Sequence, residues 1–225
     1  LCHRVEGGIA HMNEQVVILG AGGHARSVID VIRSQNQYEI AGCVAQISQD
    51  LAGVPGVPEV PILGDDSILP ALRRKGFFYI FVAIGNNRIR AKLYKKVCEM
   101  GFHPVNAISP HAYLSPTVQL GRGICVMPGA VLGINTVVGD NAIINTRCSV
   151  DHDCSIAAHV HLAPGVTLSG TVTVGAGTQL GTGASVIDGM TIGEWSMVGA
   201  GSVVVREISS HVMAYGVPAR VVKEI

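Results

Sequence analysis

Two hydrophobic periods divide the chain. Over residues 15–107 short apolar runs alternate with amphipathic stretches, and from Leu114 onward one aliphatic residue recurs at every sixth position. In the first part Gln15-Val16-Val17-Ile18-Leu19 reads as a buried strand that ends in Gly20-Ala21-Gly22-Gly23-His24-Ala25. Val28, Ile29 and Ile32 then fall at helical spacing and predict a helix over Ala25 to Ser34. Tyr38 to Val44 predicts a second strand, Gly53 to Pro61 a loop rich in Gly and Pro, and Asp66 to Lys75 a helix. Phe78 to Ile84 predicts a further strand, and Arg88 to Met100 a helix stopped by Gly101. The alternation implies a small, Rossmann-like parallel sheet with helices on both faces. The basic run Arg88, Arg90, Lys92, Lys95, Lys96 reads as a solvated helix face.

In the second part all sixteen hexad positions from Leu114 to Val204 are Leu, Ile or Val, without an insertion. The residue four further on is usually small, as at Ala130, Ala142, Cys148, Cys154 and Ala184. Glycine often follows the aliphatic residue, at Gly121, Gly133, Gly139, Gly175, Gly181, Gly193 and Gly199, where it is expected to permit tight turns between flat faces. This pattern resembles the left-handed parallel β-helix of hexapeptide acyltransferases. Each aliphatic side chain would point into a narrow prism and the small partner would fit at its corner. Three hexads per coil predict about five coils, a stack on the order of 25 Å long. Such stacks bury their core only by repetition and need capped ends. The expected fold class is an α/β N-terminal domain followed by an all-β left-handed β-helix. The expected divisions are a vector-derived tail over 1–11, a Rossmann-like domain over 12–107, a β-helix over 108–207 and a C-terminal cap over 208–225.

Composition narrows the function. The 225 residues carry 16 positive and 16 negative charges, a formal net charge of zero. Without a basic excess there is no electrostatic footprint for a nucleic-acid backbone or an anionic membrane. Aromatic residues at 4% leave little for base-stacking platforms. The longest apolar run, Phe77 to Ile84, is far shorter than the roughly 18 residues of a membrane span. Leu1 to His11 lacks the apolar segment of an export signal, and the six cysteines form no CxxC pair, so the expectation is a cytoplasmic protein with free thiols.

Two stretches carry candidate chemistry. Gly20-Ala21-Gly22-Gly23-His24-Ala25 fits G-x-G-x-x-A between a strand and a helix, where backbone N–H groups favour a phosphate. Strand two ends Cys43-Val44-Ala45-Gln46 without an acidic residue, and the domain is short for a dinucleotide, so a smaller phosphate-bearing ligand is expected; glycine for tight packing alone is the plainer alternative. In the β-helix, Asn145-Thr146-Arg147-Cys148-Ser149-Val150-Asp151-His152-Asp153-Cys154 precedes His159-Val160-His161. Val150 points inward, so His152 is free to face a neighbour, and Asp153 beside it can raise its basicity. Histidines that only decorate a subunit interface are the plainer alternative here. Cys148 and Cys154 occupy the small inward position and read as core. His159 and His161, two apart on a strand, would share a face, but their spacing differs from the zinc-binding histidines of γ-class carbonic anhydrases, and no metal is expected.

From about residue 15 to 222 the chain resembles the NeuD/PglD-type sugar acetyltransferases, and among them the GDP-perosamine N-acetyltransferases. The resemblance rests on Gly22-Gly23-His24-Ala25, Val82-Ala83-Ile84-Gly85-Asn86-Asn87, Ile144-Asn145-Thr146, Val150-Asp151-His152-Asp153-Cys154 and Gly216-Val217-Pro218-Ala219-Arg220. It implies acetyl transfer from acetyl-CoA to the amine of a nucleotide-linked 4-amino-4,6-dideoxy sugar, without a covalent enzyme intermediate. Sialic acid O-acetylation and a non-catalytic nucleotide-binding solenoid are the alternatives. The resemblance makes His152 the general base and Asp153 its acidic neighbour. It assigns His161, Asn145, Gly170, Thr182 and Ala200 to acetyl-CoA, and Gly22, Gly23, His24 and Asn86 to the sugar nucleotide. A homotrimer with active sites between solenoids is expected. Ala45-Gln46 departs from relatives that carry acidic residues there, which opens the base preference.

Overall fold

A computed structural model describes residues 14–46 and 53–225. The tail predicted over 1–11 lies outside these residues. Strand β1 (Glu14–Leu19) is the centre of the first unit. It pairs in parallel with β2 (Tyr38–Val44) on one side and β5 (Tyr79–Val82) on the other. With β3 (Gly53–Val54), β4 (Val57–Gly64) and β6 (His103–Pro104) they form one sheet in the order β3-β4-β2-β1-β5-β6.

The two-residue period of β1 sends its apolar side chains to both faces. Val16 and Ile18 pack with Val28 and Ile29 of α1 (Gly23–Gln35). Val17 and Leu19 pack with Leu69 and Leu72 of α2 (Leu69–Arg74) and with Tyr94 and Val97 of α3 (Asn87–Glu99). Helix α1 stops at Asn36, which adopts a left-handed φ of 54°. The Asn86 side chain caps α3 by accepting from the Ile89 N–H at 3.0 Å.

Two expectations fail here. Gly53 to Pro61 is not a loop: β3 and β4 form an antiparallel hairpin around Pro55-Gly56, with Gly56 at φ +81°. Pro55 and Gly56 make its turn, Gly53, Pro58 and Pro61 belong to the strands themselves, and Val54 and Val57 pair across it. Nor is the basic run of α3 wholly solvated, because Arg90 is 1% exposed. It stands four residues before Tyr94 and seven before Val97, on the apolar stripe of the helix.

The second unit is a stack of two-residue strands, β7 (Ala107–Ile108) to β23 (Val203–Val204), whose neighbours along each face lie eighteen residues apart in parallel register. They form the three faces of a left-handed β-helix. The stack begins one hexad before the sixteen aliphatic positions, with Ile108 beside Val126. Inward Leu132, Ile144, Val150, Leu162 and Leu180 are fully buried, each contributing roughly 1.5–3 kcal/mol.

The glycines after the aliphatic positions do not serve as expected. Left-handed backbone falls two residues later, at Gly129, Asn135, Asn141, Arg147, Asp153 and His159 among others. Gly133 and Gly139 instead let coils approach: a Cβ on Gly139 would lie 2.6 Å from the Ala158 nitrogen of the next coil. After Val204 the repeat shortens, and Ile208 bridges to Ile192. β24 (Val212–Gly216) then adds in parallel to Met197–Val198 and turns back as the antiparallel β25 (Ala219–Glu224).

The two units share a core. Outward-facing Cys125 and Ile143, together with Ala107, are buried against the α1 side of the sheet. No helix among the described residues is long and apolar enough to cross a membrane.

Candidate active site

At the C-terminal ends of β1 and β2 a cleft of about 700 Å³ opens beside Gly20, Ala21 and Gly22. Gly22 is the N-cap of α1 and offers no side chain to its first-turn N–H groups. A Cβ on Gly22 would meet nothing within 4 Å, and one on Gly23 only the Arg26 side chain at 3.7 Å. These positions face open space, which leaves the helix terminus approachable by an anion. Gly20 differs: its φ is +127° and a Cβ there would lie 2.7 Å from the Ala83 carbonyl oxygen.

His24 does not accompany Gly22 and Gly23 into solvent. Its Nε2 is buried without a partner. Burial first, then the Arg90 charge, lower its pKa to about 4. On the solenoid side His161 is lowered to about 4 by the same causes, burial first, with further contributions from Arg90 and His24. Its Nε2 lies 3.2 Å from Asn145 Nδ2. Its Nδ1 lacks a partner of good geometry, although the Gly85 carbonyl is near enough to oppose the shift. The structure thus brings His24, His161 and Asn145 to one junction between the units. Asn86 spends its side-chain oxygen on the α3 cap.

Arg90 organises that junction, and the sequence reading missed it. Its Nε donates to Asn141 O at 3.1 Å, Nη1 to Ile84 O and Gly85 O at 3.1 Å and to Asn87 Oδ1 at 3.0 Å, and Nη2 to His159 O at 2.8 Å. Asn87 in turn donates to Gly177 O at 3.0 Å. Arg90 and Asn87 together therefore tie the loop after β5 to three coils. Burial lowers its own pKa to about 10, so it remains charged at neutral pH. The signal was its place on the helical apolar stripe.

His152 occupies a different corner of the prism, between Ser149–Val150 on one face and Ser155–Ile156 on the next. Its Nδ1 lies 2.9 Å from Asp153 Oδ2, and both side chains are about half exposed, 48% and 47%. Asp153 sits at the left-handed turn position, φ 55°, which folds its carboxylate back onto the imidazole. Asn135 Nδ2 donates to Asp153 Oδ1 at 3.0 Å and holds it from the coil before. The Asp153 hydrogen bond is the main cause that raises the His152 pKa, with Asp151 and Asp188 assisting. The Asn135 bond first and then the His152 bond hold the Asp153 carboxyl below its usual range.

Gly170, one coil further, lies beneath the imidazole: a Cβ there would sit 2.5 Å from Nε2 of His152. Thr182 and Ala200 stack at another corner, where Gly201 N donates to Thr182 O at 2.8 Å. Within one chain the structure thus gathers His152, Asp153 and Gly170 at one place and His161 with Asn145 at another.

His159 and His161 do not share a face, contrary to expectation. His159 is a turn residue at φ 63°, stacked on Trp195 with ring centroids 6.5 Å apart, whereas His161 opens a strand. Among the described residues no group of three or more His, Cys, Asp or Glu is placed to hold a metal ion. Cys148 and Cys154 lie in the core and donate to carbonyls at 3.1 and 3.2 Å, and burial pushes the Cys148 thiol up to about 11.

Comparison with known proteins bears on this geometry. Residues 15–97 match the PglD N-terminal domain, and residues 135–170 match the bacterial transferase hexapeptide of six repeats. The structure is similar to that of PerB from Caulobacter crescentus in complex with CoA and GDP-perosamine. The two are 47% identical with a TM-score of 0.86, covering 93% of this chain and 97% of that one. It is also similar to the acetyltransferase domain of PglB from Neisseria gonorrhoeae in complex with acetyl coenzyme A, at 35% identity and a TM-score of 0.87, covering 93% and 100%. Of the curated relatives, GDP-perosamine N-acetyltransferase of Escherichia coli O157:H7 is 29% identical over 121 residues, 53% of each chain. The match thus spans about half of that relative, and 21% of a longer mimivirus protein. A Gly-rich parallel unit joined to a hexapeptide β-helix, matched along nearly the whole length of PerB and of the PglB acetyltransferase domain, means that the chain belongs to the PglD-type family of hexapeptide-repeat sugar N-acetyltransferases.

Proposed function

We propose that this chain transfers an acetyl group from acetyl-CoA to the amine of a nucleotide-linked 4-amino-4,6-dideoxy sugar of the GDP-perosamine kind. The observation that carries the reading is the full-length likeness to PerB, an enzyme seen with CoA and GDP-perosamine, combined with an exposed imidazole–carboxylate pair. In this reading residues 12–107 hold the sugar nucleotide, with Gly22 and Gly23 at the diphosphate and His24 and Asn86 nearby. Residues 108–207 hold acetyl-CoA along His161, Asn145, Gly170, Thr182 and Ala200, and residues 208–225 cap the stack.

His152 accepts a proton from the sugar amine as the amine nitrogen bonds to the thioester carbon. Asp153 orients the imidazole and stabilises its protonated form. A backbone N–H of the coils stabilises the tetrahedral oxyanion, an effect of roughly 3–4 kcal/mol for such donors. The C–S bond then breaks, and the imidazolium returns its proton to the CoA thiolate. Amide and thiol are the products.

Because His152 and His161 stand apart within one chain, we assign the complete site to the junction of neighbouring subunits in a homotrimer. Val131, Ile134 and Val137 are exposed by 39%, 51% and 42% close to the His152 corner and suit such an interface. A cytoplasmic location fits substrates made and kept in that compartment. The test is thiol release from acetyl-CoA with UDP-, GDP- and dTDP-linked 4-amino sugars and with free sialic acid. A 4-amino sugar nucleotide is expected to be acetylated fastest. Preference for sialic acid would move the chain to O-acetylation, and no turnover with any acceptor would leave a binding solenoid.

A further inference from the structure

We infer that Asp66 and Lys96 together select the base of the nucleotide and that the base is guanine. The inference rests on the reading of the cleft beside Gly22 as the nucleotide site. Among the described side chains that line this cleft only Gln46 and Asp66 carry hydrogen-bonding groups; the others, such as Val44, Pro55, Ile89 and Leu93, are apolar. Apolar walls accept the faces of a planar base, and recognition then falls to the few polar groups at its edge.

Asp66 opens the short helix that follows β4 and stands where the cleft meets a second, lysine-lined groove. Lys96 Nζ lies 3.6 Å from its Oδ2, which sets an ammonium donor beside a carboxylate acceptor. A carboxylate only accepts and an ammonium only donates. Guanine matches that order: N1–H and the N2 amino group donate side by side, and O6 next to them accepts. Uracil and thymine present acceptor, donor, acceptor, which places an oxygen against the carboxylate. Adenine presents one amino donor beside an acceptor nitrogen, which the carboxylate repels. The pair thus favours guanine and rejects the alternatives by unpaired or repelling groups. Gln46 donates and accepts and does not discriminate in this way. The absence of an acidic residue at the end of β2 is consistent with the discriminating carboxylate having a different origin, after β4.

The experiment is calorimetric binding of GDP, UDP, dTDP and ADP to the full chain and to Asp66→Asn, Lys96→Met and Gly23→Phe variants, with circular dichroism to check folding. Wild type is expected to prefer GDP by about 10- to 100-fold, the range for one bidentate base contact. Asp66→Asn is expected to remove most of that preference while UDP affinity stays within about twofold, and Lys96→Met to weaken GDP alone by a smaller factor. Asp66 does not cap its helix through its side chain, a role held by Asp65, so the fold is expected to survive. Equal binding of GDP and UDP by wild type, both abolished by Gly23→Phe, would overturn the base assignment and leave the cleft reading intact. The same holds if Asp66→Asn and Lys96→Met weaken all nucleotides alike. Binding of no nucleotide, or binding untouched by Gly23→Phe, would overturn the cleft reading and this inference with it.

Discussion

Nε2 of His152 occupies the space a side chain would need at Gly170: an added Cβ would stand 2.5 Å from it and 2.8 Å from Asp188 Oδ1. Gly170 is not at a left-handed turn position, so clearance for the imidazole is the reason for glycine there. Gly170→Ala is expected to displace the ring and lower kcat by about 10²-fold, the loss typical of a misplacement near 1 Å. Thermal stability should change little. Steady-state kinetics beside a melting curve would measure both, and an undiminished kcat would mean that the ring works from another position.

His152→Ala is expected to lower kcat by about 10²–10⁴-fold with much smaller changes in KM. The pH dependence has a defined sign. Asp153 raises the His152 pKa above 6.5, and only the neutral imidazole accepts a proton, so activity falls as pH drops through that raised value. Asp153→Asn removes the main cause and should move the acidic limb of the kcat profile to lower pH, with a milder loss at the optimum. The corresponding stability contribution runs the other way: it is present below the unfolded pKa and lost as pH rises through the folded one. An acidic limb unmoved by Asp153→Asn would contradict the pairing.

Arg90→Met should destabilise the fold. It removes the donors for Asn141 O and His159 O at the junction, and each buried acceptor left unpaired costs about 1–3 kcal/mol. A total on the order of 3–5 kcal/mol is expected in urea denaturation, with Arg90→Lys intermediate because an ammonium cannot span the same fork. A loss below about 1 kcal/mol would mean that water replaces the guanidinium.

Acid should weaken the protein in a particular window. His24 and His161 are lowered to about 4 by burial first and Arg90 second, so between pH 6.5 and 4 the unfolded chain binds more protons than the folded one. Stability therefore rises with pH across that window and is lost as pH falls through it, by roughly 3 kcal/mol per group at most. Denaturation midpoints from pH 7.5 to 4.5 would show the slope, and His161→Gln should flatten it. An unchanged slope would place the titrating groups elsewhere.

Ile134→Glu tests the assembly. A carboxylate on this exposed apolar position would have to be desolvated in a subunit interface. Light scattering is expected to show a trimer for the wild type and smaller species for the variant, with activity lost in parallel. A fully active monomer would remove the intersubunit site from the mechanism.

The hexads determine the β-helix by themselves, because an aliphatic residue every sixth position leaves only one way to bury all of them. Val16 to Leu19 likewise determine a central strand, since four apolar residues in a row demand cover on both faces. The His152–Asp153 pair was legible for a local reason: adjacent residues at a turn need no distant element to meet. The hairpin at Pro55-Gly56 was not legible, because turn residues mark a reversal whether or not the flanks pair. The part played by Gly133 and Gly139 was not legible either, since it depends on the backbone of the next coil, eighteen residues away. Arg90 shows the division most clearly. Its charge suggested solvent, and only the docking of α3 on the coils supplied the carbonyl oxygens, fifty to seventy residues distant, that let a guanidinium be buried.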